Sequence, residues 1–446
     1  MSRRFAVLLP SLLALAGCSA IAAIAGTPKI VSVTINAPAG LLVGESAVAT
    51  AVALGDDGRD HGGRPRTWSS SDPAALSIDA NGKMVGLIAG RQVTITATVD
   101  GTSGSALVGV ASDDTRFGYA LADQPTVAGP YTPAAATRYN SGGGAVEVTR
   151  TATGVYSVRF AGLGRTPGQR DNVQVSAYNA APAYCKPAIW DASGSDLVVP
   201  VSCFSPDGTP IDSPFTILAA GAWAFGKTAP LAFALSVADN GTVILDSAAT
   251  TRNSTGGNVI VGHVAQGHFA MALKGLESAW ASAPIAIQVS PVGQDPRRCR
   301  LIAVDPSTAG LGIDCNGAGG GLRDSPFSML WLQHGRPAMR FGFAWAQQLS
   351  SPTDYTPDAH YLINSSGGSV AARKTGPGRY RVVFSGLGRT GGATETVLVQ
   401  SFLYLDRVCD ITSWGNTGAN DLFVTVACYQ PDSSPADTQF SVLVVQ

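Results

Sequence analysis

Apolar and polar positions alternate most regularly in a ten-residue stretch that occurs three times along the chain. It begins Gly154-Val155-Tyr156-Ser157-Val158, then Gly267-His268-Phe269-Ala270-Met271, then Gly378-Arg379-Tyr380-Arg381-Val382, and ends each time in Gly-Leu. Large apolar residues fill every second position after the opening glycine. That period predicts a strand with one face in a core and the other toward water. The copies start 113 and 111 residues apart, so one domain type is used three times.

Each repeat, at 115–220, 229–333 and 339–446, surrounds this strand with the same series of elements. An aromatic opening strand (Phe117, Phe233, Phe341) leads to a glycine-rich Asn-Ser turn (Asn140, Asn253, Asn364). After the signature strand come a second run (Val173 to Tyr178 in the first repeat), a cysteine hairpin and a closing strand opening at Phe215, Phe327 or Phe440. About eight strands in ~105 residues suit a sandwich or a jelly roll. Ig-like and jelly-roll orders are not separated by the pattern, and no segment has convincing helical periodicity. The expected fold class is therefore all-β, as tandem β-sandwich modules.

Alternation also starts at Ile30, ahead of the repeats. The ordered set Leu42-Val43-Gly44, Thr67-Trp68-Ser69-Ser70-Ser71-Asp72-Pro73, Asn81-Gly82-Lys83, Ala89-Gly90 and Val93 to Ala97 resembles a bacterial Ig-like group 2 domain over about residues 30–111. The resemblance implies a small β-sandwich at 30–112 of the kind used as a stalk in surface adhesins. The polar loop Asp56 to Arg66 is longer than that family's pattern. Read from the residues alone, Trp68 is an inter-sheet anchor and Asn81-Gly82 a tight hairpin.

The first residues read as a processing signal. Arg3 and Arg4 precede a short apolar run, Phe5 to Ala14, too short to span a bilayer. Leu15-Ala16-Gly17-Cys18 resembles a bacterial lipobox, which implies a signal peptide at 1–17, acylation of Cys18, a tether at 18–29 and the lipid bilayer as a partner. Ser19, in place of an aspartate, favours an outer-membrane or cell-surface address within the envelope. Composition fits: 45% of residues are hydrophobic and 14% charged, enough apolar surface for real cores. A net charge of −1 gives no reason to expect nucleic acid.

Apart from Cys18, the six cysteines fall two per repeat, equidistant from turn sequences, so that they would face one another across a hairpin. Disulfides Cys185–Cys203, Cys299–Cys315 and Cys409–Cys428 are expected, each stabilising its domain by about 3 kcal/mol. No cysteine has zinc-knuckle spacing, and neither a metal nor another cofactor is expected.

Gly221-Ala222-Trp223-Ala224-Phe225-Gly226-Lys227-Thr228 satisfies the P-loop pattern. Pro230 and a predicted strand follow instead of a helix, so it reads as a linker, with no nucleotide partner. His263 and His268 read as surface residues. Asp212-Ser213, Asp324-Ser325 and Asp437-Thr438 precede the closing strands and read as turn caps bonding their own backbone, with calcium or glycan binding as the alternative. Trp190 and Trp414 lie five residues after a hairpin cysteine, an odd offset that puts them on the face opposite the cysteine unless a bulge intervenes. They are either core residues or exposed platforms for a sugar. Arg165 and Arg389, in Gly-Leu-Gly-Arg loops of the first and third repeats, join them as candidate ligand-binding residues; pairing with a nearby carboxylate is the alternative. The second repeat lacks both features.

No matching set of acids, bases and nucleophiles recurs, so a non-enzymatic role is expected: surface adhesion, recognition or structural display, with a protein or glycan ligand not identified by sequence. A glycan-binding array is the alternative, and a secreted hydrolase a further one.

Overall fold

A computed structural model describes residues 27–446 except 39, 112–113, 167–168, 180, 227–228, 237–241, 246–249, 334–338, 390–393, 404 and 419. The leader, Cys18, most of the tether, and Lys227 and Thr228 of the P-loop match lie outside the described residues. The fold is all-β. Among the described residues, helix is confined to a short turn of α-helix, Glu277–Ser282, and two 3₁₀ turns at Ala135–Thr137 and Ala359–Tyr361.

Residues 30–111 form a sandwich of their own. Thr67–Ser70, Arg91–Val99 and Thr102–Ala111 build its main sheet, with Gly40–Leu42 added parallel to the last of them. Half-buried Trp68 packs against both clusters of its core.

The described residues of the first repeat form nine strands: β1 Phe117–Ala122, β2 Gly129–Tyr131, β3 Arg138–Asn140, β4 Val146–Ala152, β5 Val155–Phe160, β6 Asp171–Ala177, β7 Tyr184–Pro187, β8 Leu197–Phe204 and β9 Phe215–Gly221. They form an inner sheet in the order β3-β1-β9-β6 and an outer sheet in the order β2-β4-β5-β8-β7. Read from β4, this is the ABED-on-CFG order of an immunoglobulin constant-type sandwich, circularly permuted so that β1 takes the place of strand G. The alternative left open by the pattern is thus decided against a jelly roll. The second repeat keeps the same order, and the third keeps it with β2 reduced to a single bridge, Tyr355 to Ala372.

The repeats are not separate beads. The signature strand β5 alternates buried and exposed residues, but β6 and β9 are buried at every position, as are their counterparts Ala286–Pro291, Phe327–Leu332 and Thr396–Phe402. Phe215, Ile217 and Ala219 face the outer sheet of their own repeat. Leu218 and Ala220 face the other way, into a shared core with Phe233 and Leu330 of the second repeat and Phe343 and Leu443 of the third.

Backbone bonds at equivalent positions fix the arrangement. Asn179 N–H donates to Ile411 O at 2.9 Å, Gly293 N–H to Pro187 O at 2.9 Å and Leu403 N–H to Leu301 O at 3.1 Å. Each bond links one repeat to another, and together they close a ring of three. A second ring lies deeper. Val175 N–H donates to Ser290 Oγ (3.1 Å), Val289 N–H to Gln400 Oε1 (2.6 Å) and Val399 N–H to Ser176 Oγ (3.0 Å). The three repeats are therefore related by a pseudo-threefold axis, with apolar packing at one end of the inner strands and a hydrogen-bonded polar layer toward the other.

The N-terminal sandwich docks on the apolar end. Leu42 packs on Ala222 and Trp223, and Glu45 pairs with Arg170 and Arg252 from two repeats.

A shared core makes the three repeats one cooperative unit. Leu330→Ala, although confined to the second repeat, should cost about 2–5 kcal/mol and lower amide protection in the inner strands of all three. Hydrogen exchange read by mass spectrometry would contradict this if the loss stayed between residues 229 and 333.

Candidate functional site

The disulfides sit at the polar end of the axis. Each links directly opposed residues of neighbouring strands, with Cα atoms 4.1, 4.0 and 4.1 Å apart for Cys185–Cys203, Cys299–Cys315 and Cys409–Cys428. The N–H of the second cysteine donates to a glycine carbonyl on the other side (Gly154, Gly267, Gly378), which leaves the side facing its partner free of ladder bonds. Three disulfides in β-domains mark the chain as an extracellular or cell-surface protein.

After the first cysteine, the strand of each hairpin carries a one-residue bulge. Pairing slips by one between Ile411 and Ser413, between Leu301 and Ala303, and between Pro187 and Asp191. The bulge reverses the parity of the odd offset and returns Trp190 and Trp414 to the cysteine face. Trp190 is buried in the first repeat's core. Trp414 is half-buried, its ring 4.9 Å from Tyr178 of the first repeat and its Nε1–H donating to Glu395 at 3.0 Å.

Glu395 gathers a second candidate residue. Arg389 Nε lies 3.0 Å from its carboxylate, and Gln446 donates to the same group at 3.0 Å. In the first repeat the corresponding Arg165 pairs with Asp171, which Arg116 also holds at 2.8 Å. The second repeat replaces both partners with apolar residues, Ile285 at the acid's level and buried Trp280 on the helix where the arginine loop would be. The glycines of Gly-Leu-Gly-Arg are set by close approach: a β-carbon on Gly164 would fall 1.9 Å from Gly194 O, and one on Gly388 2.5 Å from Asn420 O. The four candidates thus divide into one core tryptophan, one arginine paired within its own repeat, and an Arg389–Glu395–Trp414 cluster at a junction between repeats. They do not assemble into one exposed surface.

The recurring aspartates bond a distant part of the chain rather than their own backbone. Asp212, Asp324 and Asp437 accept from the opening glycine of the signature strand, Gly154, Gly267 and Gly378, at 2.9, 2.6 and 2.8 Å. A basic residue completes each pin: Arg150 (2.9 Å), His263 (2.9 Å) or Lys374 (2.5 Å). Arg150 foremost holds Asp212 below the usual carboxylate range. At Asp324 and Asp437 burial opposes the same shift and is outweighed by these donors. His268, too, is half-buried on Asp314 at 2.5 Å rather than free on the surface. No group of three or more metal-ligating side chains is found among the described residues.

The P-loop match is the bend at the docked end. A β-carbon on Gly221 would fall 2.3 Å from Asp114 Oδ1, and Asp114 accepts from Ala222 N–H and Arg170 N–H at 3.0 and 2.7 Å. Buried Trp223 and Phe225 fill the place that phosphate would need.

Sequence reasoning missed the set that follows the first cysteines. Lys186, Arg300 and Asp410 are equivalent and all buried. Lys186 reaches Asp295 of the second repeat at 3.1 Å, with burial pulling its pKa down to about 8. Arg300 reaches Leu403 O at 2.8 Å and lies 3.8 Å from Asp406 of the third. Asp410 faces the first repeat, where Ala181 and Pro182 stand at the level of those acids. It accepts from Ala183 N–H at 3.3 Å, and burial drives its pKa well above the ordinary value of 3.8. Beside this set a cavity of about 50 Å³ lies on the axis, lined by equivalent residues of all three repeats.

No protein-family model matches the chain, and no curated protein matches it. Among solved structures, domains 4 and 5 of the S-layer protein SbsC are similar at 13% identity over 42% of this chain and 92% of that one, with a TM-score of 0.18. Human protocadherin-24 EC1-2 is similar at 12% identity over 29% and 85%, with a TM-score of 0.16. Both are β-domain proteins, and at these TM-scores neither carries an argument about function.

Two outcomes follow from the charges. Arg389→Ala should destabilise the chain more than Arg165→Ala, because Asp171 keeps Arg116 whereas buried Glu395 loses its closest cation; equal denaturation midpoints would refute this. Asp410→Asn should stabilise the chain at neutral pH. The unfolded chain ionises Asp410 near its ordinary pKa and the fold only at higher pH, so wild-type stability falls as pH rises from the first value through the second. The advantage of asparagine should shrink as pH drops below the ordinary value. A pH-independent difference would count against the assignment.

Proposed function

We propose that this chain is a lipid-anchored protein of the bacterial cell envelope that displays a rigid head for adhesion or recognition at the cell surface. Acylated Cys18 holds the bilayer, the Ig-like group 2 sandwich acts as a short stalk, and the three fused repeats form the head. The observation that carries the reading is the polarity of the head. The stalk docks through Leu42 and Glu45 at one end of the inner strands, and the disulfide-bonded loops of all three repeats meet at the other. Recognition then belongs to one composite surface. Avidity among loosely linked modules does not suit repeats that share a core.

The glycan-binding alternative has less support, because Trp190 is buried and Trp414 is engaged by Glu395. A hydrolase would need converging acids free to act. Asp114 and Asp171, which do converge, are both bonded to Arg116 at 2.7 and 2.8 Å.

The test is partitioning and exposure. Wild-type chain should enter the detergent phase and be cut by protease added to intact cells. Cys18→Ser should move to the aqueous phase with an unchanged circular dichroism spectrum. Identical partitioning of the two would reject the anchor, and full protection on intact cells would reject surface display.

A further inference from the structure

The axial cavity has a chemistry of its own. Its wall carries valines Val175, Val289 and Val399 and the three disulfides, and its polar lining is basic: Arg298, Arg300 and Arg407, with no carboxylate. Asp406 holds Arg298 from behind at 2.7 and 2.5 Å.

The decisive residue is Gln400. Its counterparts Ser176 and Ser290 close the polar ring with nothing left over. Ser176 Oγ accepts from Val399 N–H and donates to Val399 O at 2.9 Å; Ser290 Oγ accepts from Val175 N–H and donates to Gln174 Oε1 at 2.8 Å. Gln400 also accepts, from Val289 N–H, which fixes the orientation of its amide. Its Nε2 is then a surplus donor, on a side chain only 8% exposed, with no hydrogen-bond partner among the described residues. Arg407 Nε is likewise buried and without one. Asp406 and Asp314 also hold Arg300, at 3.8 and 3.5 Å, so the charge without a carboxylate partner among the described residues is that of Arg407. Two donors lacking acceptors, one of them on that unpaired guanidinium, call for an acceptor carrying negative charge.

We infer that the axial cavity is a binding site for a small monovalent anion of halide size, held by Gln400 Nε2 and Arg407 Nε. Size sets the class. One water needs about 10–15 Å³ measured this way, so 50 Å³ admits a monatomic anion with a water but no drug-sized ligand. The ion would occupy the surplus donor that the serines of the first two repeats do not have, between two side chains of the third repeat and beside Arg298 and Arg300 of the second.

The experiment compares thermal unfolding of the full chain in chloride, bromide and gluconate at constant ionic strength and pH. It is paired with anomalous diffraction from bromide-soaked crystals. Binding to the folded state alone should raise the midpoint with the logarithm of halide concentration. A bromide peak should appear between Gln400 and Arg407. Gln400→Ser installs the residue of the other two repeats, keeping an acceptor for Val289 N–H while removing the surplus donor. It should fold and lose the halide dependence. Equal midpoints in all three salts with no axial bromide peak would mean that the cavity holds water only and would overturn the inference. So would a halide effect that Gln400→Ser retains in full. Should Gln400→Ser fail to fold, the wild-type bromide peak decides alone.

Discussion

The structure depends on burying the second face of three inner sheets. A sandwich module needs only one face of each sheet in its core, and an isolated repeat would leave Leu218, Leu330 or Leu443 and their neighbours in water. Apolar burial of about 25 cal/mol per Å² is the drive, but it is non-directional and would not by itself choose a ring of three. Register comes from the polar layer. A Val N–H that meets the side chain of the next repeat satisfies a buried donor only in one relative placement, and the cost of leaving such a donor unmade enforces it. Apolar packing supplies the stability, and hydrogen bonds select the geometry.

The same logic accounts for the loops. Gly-Leu-Gly-Arg looks like a recognition loop because glycine and arginine are mobile and sticky residue types. Here Gly164 and Gly388 allow a hairpin tip to come close, Leu163 and Leu387 fill the core, and the arginine neutralises a carboxylate buried at the edge of an inner sheet. In the second repeat acid and base disappear together, which avoids leaving a buried carboxylate without its cation.

How much of this is legible in the sequence depends on the range of the signal. Strand alternation, the repeat period and the hairpin symmetry of the cysteines are local, and they lead to the all-β class and to three disulfides. The axis is not local, yet a trace of it is written in the closing strands. Phe215-Thr216-Ile217-Leu218-Ala219-Ala220 and Phe327-Ser328-Met329-Leu330-Trp331-Leu332 are continuous apolar runs with one small hydroxyl residue, the pattern of strands covered on both faces. The contrast with the alternating signature strand is the sign that a second surface covers them. Trp190 and Trp414 turn on a bulge that no residue type announces. The destination of Asp212, Asp324 and Asp437 is invisible because a carboxylate that caps its own turn and one that pins a strand tens of residues away have the same sequence neighbours.

Fusing three copies into one chain changes what an axis can hold. In a symmetric homotrimer any residue lining the axis appears three times, so a cavity there has threefold composition. Here equivalent positions have diverged: Ser176, Ser290 and Gln400; Lys186, Arg300 and Asp410; Tyr184, Arg298 and Val408. Two junctions between repeats are closed by a cation meeting an acid. The third has an acid that accepts a backbone N–H, and burial pushes the pKa of Asp410 upward, toward its neutral form. The outer sandwiches preserve the fold while the axial residues are free to differ. The interior of the head, where the three repeats are chemically least alike, is therefore where a function that one repeat could not perform has room to arise.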